Sequence, residues 1–573
     1  MNRHGRWVAL SFFVLACSSP APPLTDAGSE TGGVPGGGSG GATMTGTGGA
    51  SGGGSGGVTM TGTGGVTAGT GGAMPGTGGV TSGTGGAMPG TGGVMTGTGG
   101  TVAPPTGQSV TQRGGDPGRT SAFIRPMMTK AKAATLAVDA AFNAAYNGVV
   151  TGTPVYLENG PGGKGAYFVA TQSNDVYAFD ETTGAQIWTK NAGPPATGGC
   201  DNQGKGIMGA PAIDPASRTI FVAAAIGPGA IKSFQVHAYN VDTGAERAGW
   251  PVDIGQAIGG APNLSKQNER AALLLVNGIL YVPFGGQVGD CGGARGRVVA
   301  IDIADPTKTG NWATGDDGSS IWGWGGAASD GTGVFVLTGN HFPNFSAPAA
   351  HADSEEVVRL TGLAQLTRND ASIYYPARWA AMDAGDLDFG SNSAVVFDVP
   401  GATPGKYVAA PAKDGHLYFL DAANLGGMGG ETSDLVVAQQ GSSLYTAPAA
   451  YQTAKGTYVA LNANGAHCPA GGGGRSIMGI QVAVTAGAIK PAVTWCAPDA
   501  TATSPIVTTT DGKTDPIVWF VSGGVLKGVD GDTGAQVYTG GACMVQRWTA
   551  AIAGKGARIV AAGAGKLCSW SAM

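Results

Sequence analysis

The sequence predicts an all-β fold, an eight-bladed β-propeller of four-stranded antiparallel blades that follows a disordered Gly/Thr-rich tether. Three observations predict it. Residues 164–188, KGAYFVATQSNDVYAFDETTGAQIW, read as two short apolar strands around a turn, then a second turn and a third strand. Copies of this unit recur to the C-terminus at spacings of about 45 to 65 residues, the size of a propeller blade. A large share of the 106 glycines falls in one N-terminal tract that carries no apolar periodicity. One small sheet cannot bury both its faces, so copies must stack on one another.

The first 17 residues read as an export signal. Arg3 and Arg6 precede an apolar run over residues 7–16, and Cys17 follows Ala16. A run of about ten residues is too short to span a bilayer. Residues 14–17, Val-Leu-Ala-Cys, resemble the lipobox of bacterial lipoproteins, which makes Cys17 the acylation site; an ordinary signal peptide with a chance cysteine is the alternative. Ser18 resembles the outer-membrane sorting pattern, so the expected location is the outer membrane or cell surface, with the membrane held through several acyl chains. Residues 18–107 form the linker, whose Gly, Thr, Ser, Ala, Val, Met and Pro cannot repay the entropy of ordering. Its core of about 78 residues reaches roughly 45 to 55 Å as a flexible chain. The propeller occupies residues 108–573.

Residues 110–120 form a polar lead-in, and residues 127–144 are alanine-rich enough for a short helix or an irregular arm. Residues 153–157 open the first blade. The second pairs 219–224 with VHAYNVDTGAERAGW, the third 278–284 with RVVAIDIADP, and the fourth 333–339 with 357–360. The fifth joins 407–410 through Lys413-Asp414-Gly415 to HLYFLDAANLGG. The sixth runs from 457–461 into IMGIQVAV, the seventh is IVWFVSGGVLKGVDGDTGAQVY, and the eighth is ARIVAAGAGKLCSW. In the Asp-x-Thr-Gly turns Asp caps its own turn and Gly takes the positive φ. Trp188 and Trp250, just after such turns, are expected to pack between blades. The last unit lacks an outer strand, which a segment near residues 141–149 would supply, so that the ring closes without an exposed edge.

The repeat VYAFDETTGAQIW resembles the tryptophan-docking repeat of pyrroloquinoline-quinone (PQQ) propellers, a group that includes quinoprotein alcohol dehydrogenases and the outer-membrane assembly scaffold of the Bam type. GRT at 118–120, TPVYLENG, GAPAIDP, NERAALLLVNGILYVPFGG, IWGWGGAASDGTGVFVLTGN, DLDFGSNS and AAPAKDGHLYFLD together resemble a secreted, haem-free PQQ-like subfamily. The resemblance is specific for fold and weak for chemistry.

Loops at the mouth of a central funnel are where a ligand would sit. The candidates are Cys200-Asp201-Asn202, Gln267-Asn268-Glu269-Arg270, Trp322, Trp324, Asn340, His341, Asp386, Asp388, Asn392 and Lys413. Oxidation by a quinone needs a calcium ion, a cation near the quinone oxygens and a carboxylate base. The resemblance implies Lys413, Trp322, Trp324, Arg270 and Asn340 at the cofactor, Asp386 or Asp388 as base, and Asp388 with Asn392 at calcium. Against this reading, the sequence has no adjacent cysteine pair and no Cys-x-x-Cys-His haem site. Two functions therefore stand open: a non-catalytic binding or scaffolding propeller for an envelope protein or polysaccharide, or a PQQ- and calcium-dependent oxidoreductase acting on an alcohol or sugar. With 12% charged residues and a net charge of -5, the chain offers no basic surface to nucleic acid. A monomer is expected. The histidines show no shared metal spacing.

Apart from Cys17, the six cysteines Cys200, Cys291, Cys468, Cys496, Cys543 and Cys568 suit disulfides in an exported protein. Six allow 15 connectivities. Blade assignment favours Cys468 with Cys496 in the sixth unit, Cys543 with Cys568 in the eighth, and Cys200 with Cys291 at the funnel rim.

Overall fold

A computed structural model describes residues 107–572, except 199–203, 261–263, 288–292, 316, 342–350, 364, 442–443, 472–473, 500–501 and 547. The expectations for Cys17, the tether, Cys200-Asp201-Asn202 and Cys291 lie outside the described residues. The described residues belong to one unit, Gly99–Met573.

Eight sheets follow one another along the chain, antiparallel except where Ala122–Ile124 joins the seventh and Gly427–Met428 joins the fourth in parallel. The first runs Val155–Leu157, Ala166–Ala170, Asp175–Asp180 and Gln186–Asn191, in the order read from the sequence. Its middle strands are buried on both faces, because each blade is sandwiched between two neighbours, while its outer strand shows one buried residue, Trp188. Apolar side chains of adjacent blades mesh pairwise: Phe168 and Val176 of blade 1 with Ile220 and Val222 of blade 2, and so on round to Ile559 and Trp570 of blade 8 with Tyr167 of blade 1. That last cluster closes the ring.

The tryptophans dock as expected. Trp188 Nε1 donates to the Val241 carbonyl of blade 2 at 2.8 Å, and Trp495 of blade 6 donates to Gly531 of blade 7 at 3.0 Å. Each indole thus joins two blades by packing and by one directed bond. Trp250 lies against Phe221 at 5.3 Å.

The N-terminal arm completes blade 8 in two pieces. Ala137–Val138 pairs with Trp570 and Ser571, and Ala144–Ala145 pairs with Leu567 and Lys566. Only the second piece falls in the segment expected for it. Between the lead-in and this edge comes one helical turn, Lys130–Ala133, capped by Thr129.

Residues 110–125 differ most from expectation. They form an axial plug that touches the inner strand of every blade in turn. Val110 exchanges both backbone bonds with Tyr156, and Ile213, Ser329, Val396, Ala450 and Val507 donate their N–H groups to the carbonyls of Thr111, Pro117, Gly118, Thr120 and Ser121. Gln112 bonds the backbone of Leu275 in blade 3, Ala122–Ile124 runs parallel to Ile506–Thr509 in blade 7, and Arg125 donates to Ala553 and Gly554 in blade 8. Inner-strand N–H groups that face the axis would otherwise be left without partners.

Both Cys468–Cys496 and Cys543–Cys568 are disulfides. The first lies within blade 6. The second differs from the blade assignment, because Cys543 follows the outer strand Gln536–Ala542 of blade 7 and so ties blade 7 to blade 8.

Candidate functional site

Two kinds of loop meet on one face of the ring. Gln267–Arg270, Trp322 with Trp324, and the segment from Asp386 to Asn392 lead from an outer strand into the next blade's inner strand; His341 and Lys413 sit between second and third strands. In an up-and-down blade both kinds emerge on the same side, so alternation alone converges residues from blades 3, 4 and 5.

Lys413 is the hub. Its ammonium lies 2.6 Å from Asp388 Oδ2 and 3.1 Å from Asp386 Oδ1, and 5.7 Å from the centre of the Trp322 ring. The Lys413-Asp414-Gly415 hairpin is fixed from behind, where Asp414 accepts from Arg378 Nε at 2.9 Å and from the Tyr418 hydroxyl at 2.5 Å. Arg378 also immediately precedes the helix Trp379–Ala384, which leads directly to Asp386 and Asp388. Its bond to Asp414 therefore ties the start of that segment to the hairpin that carries Lys413. Burial alone would lower the Lys413 pKa, but the charges of Asp388 and then Asp386 outweigh it and raise it.

Asp388 accepts from three donors. Ser391 donates its N–H to Oδ1 at 2.8 Å, and Oδ2 accepts from Lys413 and from the Asn340 amide at 2.9 Å, with the amide nitrogen turned toward the carboxylates; that nitrogen also reaches Asp386 at 3.1 Å. Asn392 donates to Ser391 Oγ at 3.0 Å, and its Oδ1 is buried without a partner. Its carbonyl lies so near blade 4 that a Cβ at Gly323 would come within 1.9 Å of it. His341 uses its N–H to bond Asp383 at 2.7 Å.

Arg270 lies over both indoles, 4.6 Å from the Trp322 centroid and 5.8 Å from that of Trp324. Beside it, Glu269 is fully buried, and neither oxygen makes a hydrogen bond of good geometry. Burial raises its pKa well above the carboxylate range, and the nearby Gly209 backbone offsets little of this.

Four participants were not read from the sequence. Glu355 sits behind Asp388, wholly buried, its Oε2 accepting from the Phe389 N–H at 3.0 Å; burial and then the charges of Asp388 and Asp383 push its pKa well above the usual carboxylate range. Its positive φ of 54° has no sequence signal, since Glu is a poor choice for that region. Trp548, ahead of blade 8, stacks on Trp324 with centroids 5.6 Å apart and planes 12° from parallel. Below this pair lie Arg113 and Arg119 of the plug, both buried. Only the GRT motif hinted at Arg119.

The arrangement is a cup in which a cation, the carboxylate of Asp386 and the half-buried indole of Trp322 lie nearest solvent, Asp388 and Trp324 are buried behind them, and the plug lies below. Among the described residues no group of three or more His, Cys, Asp or Glu side chains is placed to hold a metal ion.

No protein-family model matches the sequence, and no curated protein matches it. Solved structures do match in shape. The quinohemoprotein alcohol dehydrogenase of Comamonas testosteroni aligns with a TM-score of 0.56 and 14% identity over 81% of this chain and 80% of that one. Quinohemoprotein alcohol dehydrogenase ADHIIG of Pseudomonas putida HK5 gives 0.57 and 13% over 81% and 80%, and a europium-containing methanol dehydrogenase gives 0.53 and 15% over 79% and 89%. Identities this low establish architecture only: the chain is an eight-bladed β-propeller that shares its fold with these dehydrogenases.

Proposed function

We propose that the protein is a binding propeller, displayed at the cell envelope on its N-terminal tether, that takes a polysaccharide or protein partner at the cup. The observation that carries this reading is the state of Asp388. Three donors already engage it, Lys413 and Asn340 at Oδ2 and the Ser391 N–H at Oδ1, so taking up a substrate proton there would compete with that pairing. Groups already paired in this way suit recognition. The half-buried Trp322 indole beside mixed donors and acceptors suits the apolar face and hydroxyl rim of a sugar. Titration of the full chain with envelope polysaccharides, followed by tryptophan fluorescence, tests it. Saturable quenching that Lys413→Ala and Trp322→Ala weaken supports the reading, and no response to polysaccharide or to envelope protein fractions defeats it.

A second reading is a PQQ-dependent oxidoreductase, favoured by Lys413, Asp386 and Asp388 gathered beside Trp322. The residues fit the organic part of that cofactor: Lys413 and Arg270 would hold its oxygens and Trp322 or Trp324 its ring, and the quinone would supply two-electron acceptance. They do not fit calcium as they stand, because Asp388 is already neutralised by Lys413. Mixing the protein with PQQ, with and without Ca²⁺, and following quinone absorbance and dye reduction with alcohols separates the two readings.

A further inference from the structure

Trp324 precedes blade 4 and Trp548 precedes blade 8, so their loops start from opposite sides of an eight-membered ring. Their rings nevertheless stack 5.6 Å apart. The stack therefore crosses the axis, and both loops must be drawn inward to make it.

The plug supplies the draw. Arg113 Nη1 donates to the carbonyl of Trp548 itself at 3.3 Å and to Thr153 Oγ1 at 2.7 Å, while Nη2 donates to Ser504 Oγ at 2.8 Å. Arg119 Nε donates to the Ala327 carbonyl at 2.8 Å, three residues past Trp324, and Nη2 donates to the Leu273 carbonyl at 2.8 Å, three residues past Arg270. Its remaining Nη1 donates to the Arg113 carbonyl at 2.7 Å, which links the two anchors. The turn between them needs Gly114, whose φ is 77° and whose Cβ would come within 2.9 Å of Arg119 Cα.

We propose that Arg113 and Arg119 are positioning residues of the cup: they hold the Trp324 and Trp548 loops, and with them Arg270, in the ligand-receiving geometry. Only a guanidinium reaches three acceptors in fixed directions. A lysine keeps the charge and loses the fork. The inference rests on the cup being the ligand site, but its main test needs no ligand.

Two stacked indoles couple excitonically and give a circular-dichroism couplet. In the full-length protein, Trp548→Phe assigns that couplet by removing it. Arg113→Lys and Arg119→Lys are expected to cut its amplitude at least twofold, with the sheet spectrum retained. Ser504→Ala with Thr153→Ala, a milder change that removes two Arg113 acceptors, is expected to reduce it in the same direction and covers the case in which an arginine variant does not fold. A couplet of wild-type amplitude in the lysine variants, or in the Ser504/Thr153 variant where those do not fold, overturns the proposal. Where polysaccharide binds the wild type, the lysine variants are expected to lose affinity about tenfold, and unchanged affinity also overturns it. Failure of the wild type to bind polysaccharide counts against the proposed function alone, because the couplet still decides the role of the arginines.

Discussion

The ammonium of Lys413 lies 2.6 Å from Asp388, and the buried carboxyl of Glu355, its pKa raised by burial and by the charge of Asp388, packs behind that ion pair. Removing the ammonium would leave Asp388 buried beside other acids. Lys413→Ala is therefore expected to lower stability by about 1–3 kcal/mol. The pKa of Lys413 is raised above its ordinary 10.5, so the stability it contributes is fully present below that value and is lost only as pH rises through the folded-state value. Urea unfolding at about pH 7 and about pH 9 should give the same difference between wild type and variant. A difference already shrinking by about pH 9 would contradict the assignment.

Glu269 makes the opposite prediction. Its folded-state pKa is raised well above 4.5 by burial, so the protonated form belongs to the folded chain and the ionised form to the unfolded one. Its favourable contribution is complete below 4.5 and disappears as pH climbs toward the folded value. Glu269→Gln, which keeps the shape without the charge, should gain on wild type steadily as pH rises from about 5 to about 8. Melting temperatures across that range check it, and a constant gap would show that Glu269 does not change protonation on unfolding.

Gly118 is packed where no side chain fits. A Cβ there would lie 2.5 Å from the Val396 carbonyl oxygen, while its own carbonyl accepts the Val396 N–H. Gly118→Ala is expected to cost about 1–3 kcal/mol by forcing the plug away from blade 5. Gly204→Ala, where a Cβ meets nothing within 4 Å, is the matched control and should change stability by less than about 0.5 kcal/mol. Equal effects at both positions would mean that the plug tolerates displacement.

The blades were legible because each repeats a local pattern: apolar runs of strand length and Asp-x-Thr-Gly turns report short-range preferences that need no partner to be recognised. Lys413, Asp386, Asp388 and Trp322 were legible as a group because strand alternation fixes which loops share a face. The plug was not. Residues 110–121 carry Gly, Pro, Arg and Asp in no periodic order, and their conformation is imposed by N–H groups hundreds of residues away. Trp548 was missed for a related reason, since stacking across the axis on Trp324 has no signature along the chain. The blade of Cys543 was misplaced because an outer strand and the loop after it look alike in composition. Local order is written in adjacent residues, whereas closure of a ring is written in pairs far apart.

The disulfide between Cys543 and Cys568 gives the last prediction. It closes a loop with a sequence separation of 25 and joins blade 7 to blade 8, beside the edge that the arm residues Ala137–Val138 complete. Cys468–Cys496 closes a loop of separation 28 inside a single blade. By loop entropy alone the two should contribute nearly equally, about 3 kcal/mol each. They differ in what surrounds them, because blade 6 keeps four strands of its own while blade 8 borrows its outer edge from the N-terminal arm. Cys543→Ser with Cys568→Ser should therefore expose the arm to proteolysis near residues 137–145 before global unfolding, whereas Cys468→Ser with Cys496→Ser should lower the melting temperature without early cleavage there. Limited proteolysis with mass mapping of the fragments decides it, and cleavage of the arm at equal rates in both variants would show that the arm holds blade 8 without help from the disulfide.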